Sequence, residues 1–284
     1  MKETVEQLSD ESKLKRKKLL LGASIAVILI IVVIILSNLF CTFPFLVETD
    51  YCIVTGYWDR LFAGFLTTMW LYGWALMFGF LLGLFLALLR QYAGSIFSRV
   101  ATGYIEIIRG TPLVAQLFFL YYGLNISLGN WNIYTQFTIF GGEITFVFLN
   151  SRILFGIIAL SLNSAAYQAE YLRGAMMSVS TGQLMAAQSL GMSKLAGIRH
   201  IILPQALRRV IPAWSNEAAY LPKYTVVVSL IGATELFGQA KIIVSQEYIS
   251  IFTYIIVAII FLVTIAIISR GLDILHKRTG IPGL

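Results

Sequence analysis

Few of the 284 residues have the chemistry to act, and most of those sit inside apolar stretches. Glu106 and Arg109 are three apart, as are Glu170 and Arg173, so each couple can pair on one helix face. Asn163 lies near the middle of a hydrophobic run, where an amide is costly unless it finds partners. It therefore lines either a helix interface or a polar pathway. No G-x-S-x-G is present and no Gly-Lys dipeptide occurs, so the phosphate-cradling P-loop is absent. By that route the chain does not hydrolyse ATP, and no catalytic residue is expected. The two histidines, His200 and His276, are far apart, and two cysteines, Cys41 and Cys52, exclude a Cys-rich metal site.

The elements that must position these groups are apolar helices. Hydrophobic residues make up 58% of the chain and charged residues 12%, against about 25% charged in soluble domains. This is the composition of a polytopic membrane protein, all-α, with about six spans. Residues 1–18 form a basic tail, and Leu19–Leu36 contains no charge. That apolar run is longer than the core of a secretory signal, which favours a retained anchor over residues 19–39. Residues 40–60 are polar and read as an external loop, where Cys41 and Cys52 either form a disulfide or remain free thiols. Further spans are expected over 61–89, 104–124, 152–170, 210–238 and 249–268, with a polar link over 90–103 and an external loop over 125–150. Gly79 and Gly83 form a small-x-x-x-small pair suited to close helix approach.

Placing the N-terminus inside puts 17 of the 21 Lys and Arg residues on the inner side, and Arg60, Arg152, Lys223 and Lys241 elsewhere. This is the positive-inside pattern. The net charge of +7 is thereby explained without a nucleic-acid partner. Both termini are then cytoplasmic, and so is the polar stretch GQLMAAQSLGMSKLAGIRHIILP, residues 182–204. Its pattern predicts a short helix with Leu184, Ala187, Leu190 and Gly191 on one face, then a sharp turn at Gly191. A second helix, capped by Ser193 and carrying Leu195, Ile198, Ile201 and Ile202, runs to a stop or kink at Pro204. Such an elbow between two spans suits a grip for another protein.

The elbow resembles the E-A-A, three residues, Gly, nine residues, I-x-L-P motif of permease subunits of bacterial ABC importers. Ala186, Ala187, Gly191, Ile201, Leu203 and Pro204 match it, and Met185 stands where the family has Glu. YIEIIRGTPLVAQLFFLYYGL (104–124) with Gln116, and LNSAAYQAEYLRG (162–174), resemble the polar-amino-acid branch of that family. So do Asn216, Glu217, Lys223, Thr225, Ser229, Ile231, Gly232, Glu235 and Leu236, although Tyr224 and Val226 replace the usual Asp and one Ser. The resemblance covers roughly residues 60–280.

It implies a type I importer-like transmembrane domain in the bacterial inner membrane, a core over 61–284 and a coupling loop over 174–209. The additional helix over 19–39 precedes that core. It also implies a second permease subunit, identical or related, an ATPase dimer that uses the ATP and Mg, and an extracytoplasmic substrate-binding protein. No cofactor is expected on this chain. Gln116, Asn163, Tyr167, Glu217, Thr225 and Ser229 are the expected substrate pathway, or else interhelical hydrogen bonds. Glu106, Arg109, Glu170 and Arg173 are expected as inner-gate or interfacial ion pairs. The rival classes are a secondary transporter or channel without an ATPase, a membrane scaffold without a pathway, and an ABC permease for another solute.

Overall fold

The computed structural model describes residues 53–54, 56–123, 131–139 and 142–279. The basic tail, the expected anchor over 19–39 and both cysteines lie outside the described residues. Among the described residues, nine helices and one hairpin follow in order: α1 (Trp58–Tyr92), α2 (Ser95–Gly110), α3 (Leu113–Phe118), β1 (Asn132–Ile139), β2 (Gly142–Asn150), α4 (Ser151–Met177), α5 (Thr181–Ser189), α6 (Lys194–Gly197), α7 (Leu203–Tyr224), α8 (Leu236–Glu247) and α9 (Ser250–Thr279). π-Helical turns extend α3 through Gly123 and join α6 to α7, and a 3₁₀ segment, Thr225–Ile231, extends α7.

Among the described residues, α1 and α9 are each long and apolar enough to cross a membrane. Lys194–Ile231 with Leu236–Glu247 makes a third such unit, bent by 48°. The bend falls at Gly232, whose φ of +81° few other residues adopt. The span expected over 210–238 therefore ends near Ile231, and Glu235 begins the next helix instead of closing this one.

α4 is the centre of the bundle and packs along α1. In lipid no hydrophobic effect drives helices together, so close contact depends on small residues at the interface. Gly79 and Gly83 supply it. A Cβ on Gly83 would sit 3.0 Å from the Ala165 carbonyl oxygen, and one on Gly79 would sit 2.8 Å from Gln168 Nε2. Around this seam, Leu86, Ile105, Leu172, Ile202 and Val210 form an inner apolar cluster. Leu71, Leu117, Ile153, Leu160, Leu221 and Val228 form an outer one. A third, with Leu61, Leu236, Ile243 and Val257, binds α8 and α9 to the start of α1.

Two further expectations change. The span over 104–124 is broken: residues 95–110 already form α2, and the chain turns at Thr111 and Pro112, both extended, before α3 begins. Proline disfavours helical backbone at the residue before it, which is why α2 stops there. The external loop over 125–150 contains an antiparallel hairpin, β1 against β2, with a register shift between Ile133 and Tyr134. Ile144 and Phe146 of β2 face inward, and Trp70 on α1 meets Phe146 and Phe148 edge-on, at 6.2 and 5.6 Å between ring centroids. The fold is otherwise helical.

Candidate functional site

α4 carries polar side chains on two stripes, each at helical spacing. Asn163, Tyr167 and Glu170 (i, i+4, i+7) turn toward α2 and α3, while Ser164 and Gln168 (i, i+4) turn toward α1 and α7.

The first stripe meets the break between α2 and α3. Gln116 Nε2 donates to the Ile108 carbonyl at 2.7 Å and to Thr111 Oγ1 at 2.8 Å, bridging the turn. Its Oε1 accepts from Asn163 Nδ2 at 3.0 Å. The two amides thus satisfy each other across a helix interface, with Asn163 buried and Gln116 half-buried. About one turn further along α4, the Arg109 guanidinium lies over the Tyr167 ring, 5.3 Å from its centroid. Nearer the C-terminal end of α4, Glu170 gathers three arginines. Arg90 of α1 bonds to Oε1, Arg109 Nη1 of α2 is 3.7 Å from the same oxygen, and Arg173 donates to Oε2 at 2.9 and 3.2 Å. The Glu170–Arg173 couple forms as expected. The Glu106–Arg109 couple does not: Arg109 turns to Tyr167 and Glu170, and among the described residues Glu106 makes no ion pair and stands exposed.

The second stripe holds a buried network. Ser164 Oγ donates to Glu217 Oε1 at 2.6 Å, Gln168 Nε2 donates to Ser164 Oγ at 3.0 Å, and Trp214 Nε1 donates to Gln168 Oε1 at 2.8 Å. Glu217 is 5% exposed, and Ser164 is its only side-chain donor among the described residues. A buried carboxylate with so few partners is a natural counter-charge for a cation. Thr225 is fully buried and its hydroxyl bonds the Pro222 carbonyl at 2.7 Å, so it lines no open surface here. Ser229 is buried with no hydrogen-bond partner for its hydroxyl. Ser164, Gln168, Trp214 and Arg90 were not expected at the site. The i, i+4 recurrence of Ser164 and Gln168 beside Asn163 was the available signal.

The elbow forms as its residues dictate. α5 ends where Leu190 N bonds the Ala186 carbonyl and Met192 N bonds the Ala187 carbonyl. Gly191 sits between them at φ +86°. Ser193 caps α6 by accepting from Ala196 N at 3.2 Å. Ala187, Ile198 and Ile202 are buried against the bundle with Leu184 alongside. Leu190 does not join them: Met185, Leu190 and Leu195 are 61, 85 and 75% exposed. Pro204 neither stops nor breaks the second helix; it lies in the first turn of α7, where its missing N–H costs nothing. Ile201 and Leu203 flank that junction. Lys194 Nζ donates to the Tyr92 carbonyl at 2.9 Å, and Arg209 bonds Ser178. The elbow is thereby fastened to the inner end of α1, two residues beyond Arg90.

Residues 79–281 match the family described as binding-protein-dependent transport system inner membrane component. The chain belongs to this family. Among its members, the nopaline transport system permease protein NocM of Agrobacterium fabrum is 35% identical over 227 residues, covering 78% of this chain and 88% of that protein. The glutamine transport system permease protein GlnP of Escherichia coli (strain K12) is 32% identical over 235 residues, 83% of this chain and the whole of GlnP. A crystal structure of an amino acid ABC transporter with histidines superposes with a TM-score of 0.66 at 35% identity, over 78% of this chain and 95% of that one. As a transport-system membrane component, the chain supplies a route through the bilayer and not the ATP chemistry.

Proposed function

We propose that this chain is the membrane-spanning permease subunit of an ATP-driven importer of polar amino acids in the bacterial inner membrane, with both termini cytoplasmic. It pairs with a second permease subunit, sits on an ATPase dimer that binds ATP and Mg, and receives its substrate from an extracytoplasmic binding protein. The relatives named for nopaline, glutamine and amino acids support this substrate class.

The observation that carries the reading is the elbow. Met185, Leu190 and Leu195 are bare apolar side chains on a segment that Lys194 pins to the end of α1 and that runs on directly into α7. A partner that grips them moves those two helices directly. Met185 replaces the acidic residue of the family motif, so the grip here is apolar. Between the elbow and the outer face, Glu217, Tyr167 and the Gln116–Asn163 pair offer an acid, an aromatic ring and amides to a zwitterion. The binding protein must prefer the outward-open form, because a ligand shifts an equilibrium only by binding one state better.

The test is substrate-dependent ATP hydrolysis by the complex with its co-purifying partners in vesicles, supplied with binding protein and a panel of amino acids. One amino acid should stimulate hydrolysis. Gly191→Pro should abolish the stimulation, because proline holds φ near −65° where the elbow needs +86°. Movement of labelled amino acid with no ATPase in the preparation would overturn the reading.

A further inference from the structure

At the outer end of the bundle, between the 3₁₀ segment and α8, lies a cleft of about 350 Å³ whose polar lining consists of Ser229, Thr234, Lys241, Ser245 and Gln246. No carboxylate lines it. Ser229 is 4% exposed and its hydroxyl has no partner, a condition that buried hydroxyls rarely tolerate without a ligand or water. Gln246 Oε1 accepts from Arg60 Nη1 at 2.8 Å, which leaves its amide hydrogens free to donate. Lys241 is exposed and, among the described residues, forms no ion pair. The nearest acids are already engaged. Glu235 accepts from Phe237 N, Gly238 N and Thr68 Oγ1, and Glu247 accepts from Tyr57. Behind Gly232 the Arg152 guanidinium adds a second positive charge, with Nε 3.4 Å from where a Cβ would sit.

A lining of three hydroxyl residues, one amide and one ammonium, with no carboxylate among them, describes a site for a carboxylate. We propose that this cleft binds the α-carboxylate of the incoming amino acid, as an entry station distinct from the Glu217 seam. It is a separate station because of distance. Glu217 and Ser229 are twelve residues apart on one rod, seven steps of α-helix and five of 3₁₀, which is roughly 20 Å. No amino acid bridges that gap, so the substrate leaves its carboxylate contacts before it reaches Glu217. The inference rests on the import reading above.

The experiment is ATP-driven uptake of the labelled amino acid by the reconstituted complex, titrated with substrate-loaded binding protein. Lys241→Gln should lower the plateau uptake about tenfold, and Ser229→Ala about threefold, the range for losing charged and neutral hydrogen bonds. Neither should change the concentration of binding protein that gives half the plateau. Lys241→Arg should restore uptake to within about twofold, since it keeps the charge. A shift in half-saturation with the plateau recovered would assign Lys241 to an acidic residue of the binding protein and overturn the station. Unchanged uptake in both variants would overturn it as well, while leaving the import reading intact. A wild-type complex that takes up no amino acid would sink that reading and the station with it.

Discussion

Replacing Glu170 by Gln removes the negative charge shared by Arg90, Arg109 and Arg173 while preserving the side chain's size. The cluster draws on α1, α2 and α4, so it fastens the inner ends of three helices at one point. Its groups are partly shielded: the Glu170 side chain is 18% exposed, Arg90 20%, Arg173 28% and Arg109 43%. Exposed pairs contribute about 0–1 kcal/mol and breaking buried ones costs about 3–5, so a cost of about 2 kcal/mol is reasonable here. In the proposed cycle ATP draws the ATPases together and the elbows carry the inner ends of the helices inward. A state that closes the cluster would lose those 2 kcal/mol, which is about 30-fold in its population. Since ATP binding must then supply the difference, the apparent KM for ATP should rise, by at most that factor, with Arg90→Gln adding little to Glu170→Gln. The assay is ATP hydrolysis by the reconstituted complex against ATP concentration, with thermal unfolding run in parallel. An unchanged KM for ATP in a complex of normal stability would refute the idea that the cluster opens and closes during turnover.

Two further outcomes follow from the seam along α4. Gly83→Val should destabilise the purified protein by about 1–3 kcal/mol, because its Cβ meets the backbone of Ala165 and Ala169, which cannot swing aside; Gly73→Val, with nothing within 4 Å, should leave the unfolding temperature where it is. Gln116→Leu and Asn163→Leu should each cost about 1 kcal/mol, with a coupling energy of similar size in a double-mutant cycle. The double variant should then be no less stable than either single one and still fail to transport. Normal uptake by it would make the pair a structural bond alone.

The helical frame was legible because its signals are local. An uncharged run over 61–89, a glycine pair one turn apart and a serine cap before Lys194 each act through their own few residues. The elbow was legible for the same reason, down to the positive φ at Gly191. What escaped was decided by neighbours distant in sequence. Arg109 pairs with Glu170 and not with Glu106 because α4 brings a second acid and the Tyr167 ring to it. The hairpin was a different failure: E-I-T-F-V-F alternates and follows a Gly-Gly pair, both strand signals, yet its polarity suggested an open loop. Leu190 was assigned to the inward face by spacing alone, and the turn at Gly191 swings it out.

The two stripes of α4 also settle how one helix serves both rigidity and passage. Ser164 and Gln168 are buried between α1 and α7, bonded at both ends, and cannot be exchanged for apolar residues without orphaning Glu217 and Trp214. Asn163, Tyr167 and Glu170 face α2 and α3, whose joint at Thr111 and Pro112 is held by Gln116 and not by a continuous helix. A joint of that kind is the part of the bundle able to change shape. In the proposed cycle, movement of α2 driven from the elbow through Tyr92 and Arg90 passes through the Glu170 cluster before it reaches the Gln116–Asn163 pair. The substrate then meets the polar groups that face this joint together with Glu217 of α7, while Ser164 and Gln168 hold α1, α4 and α7 in register.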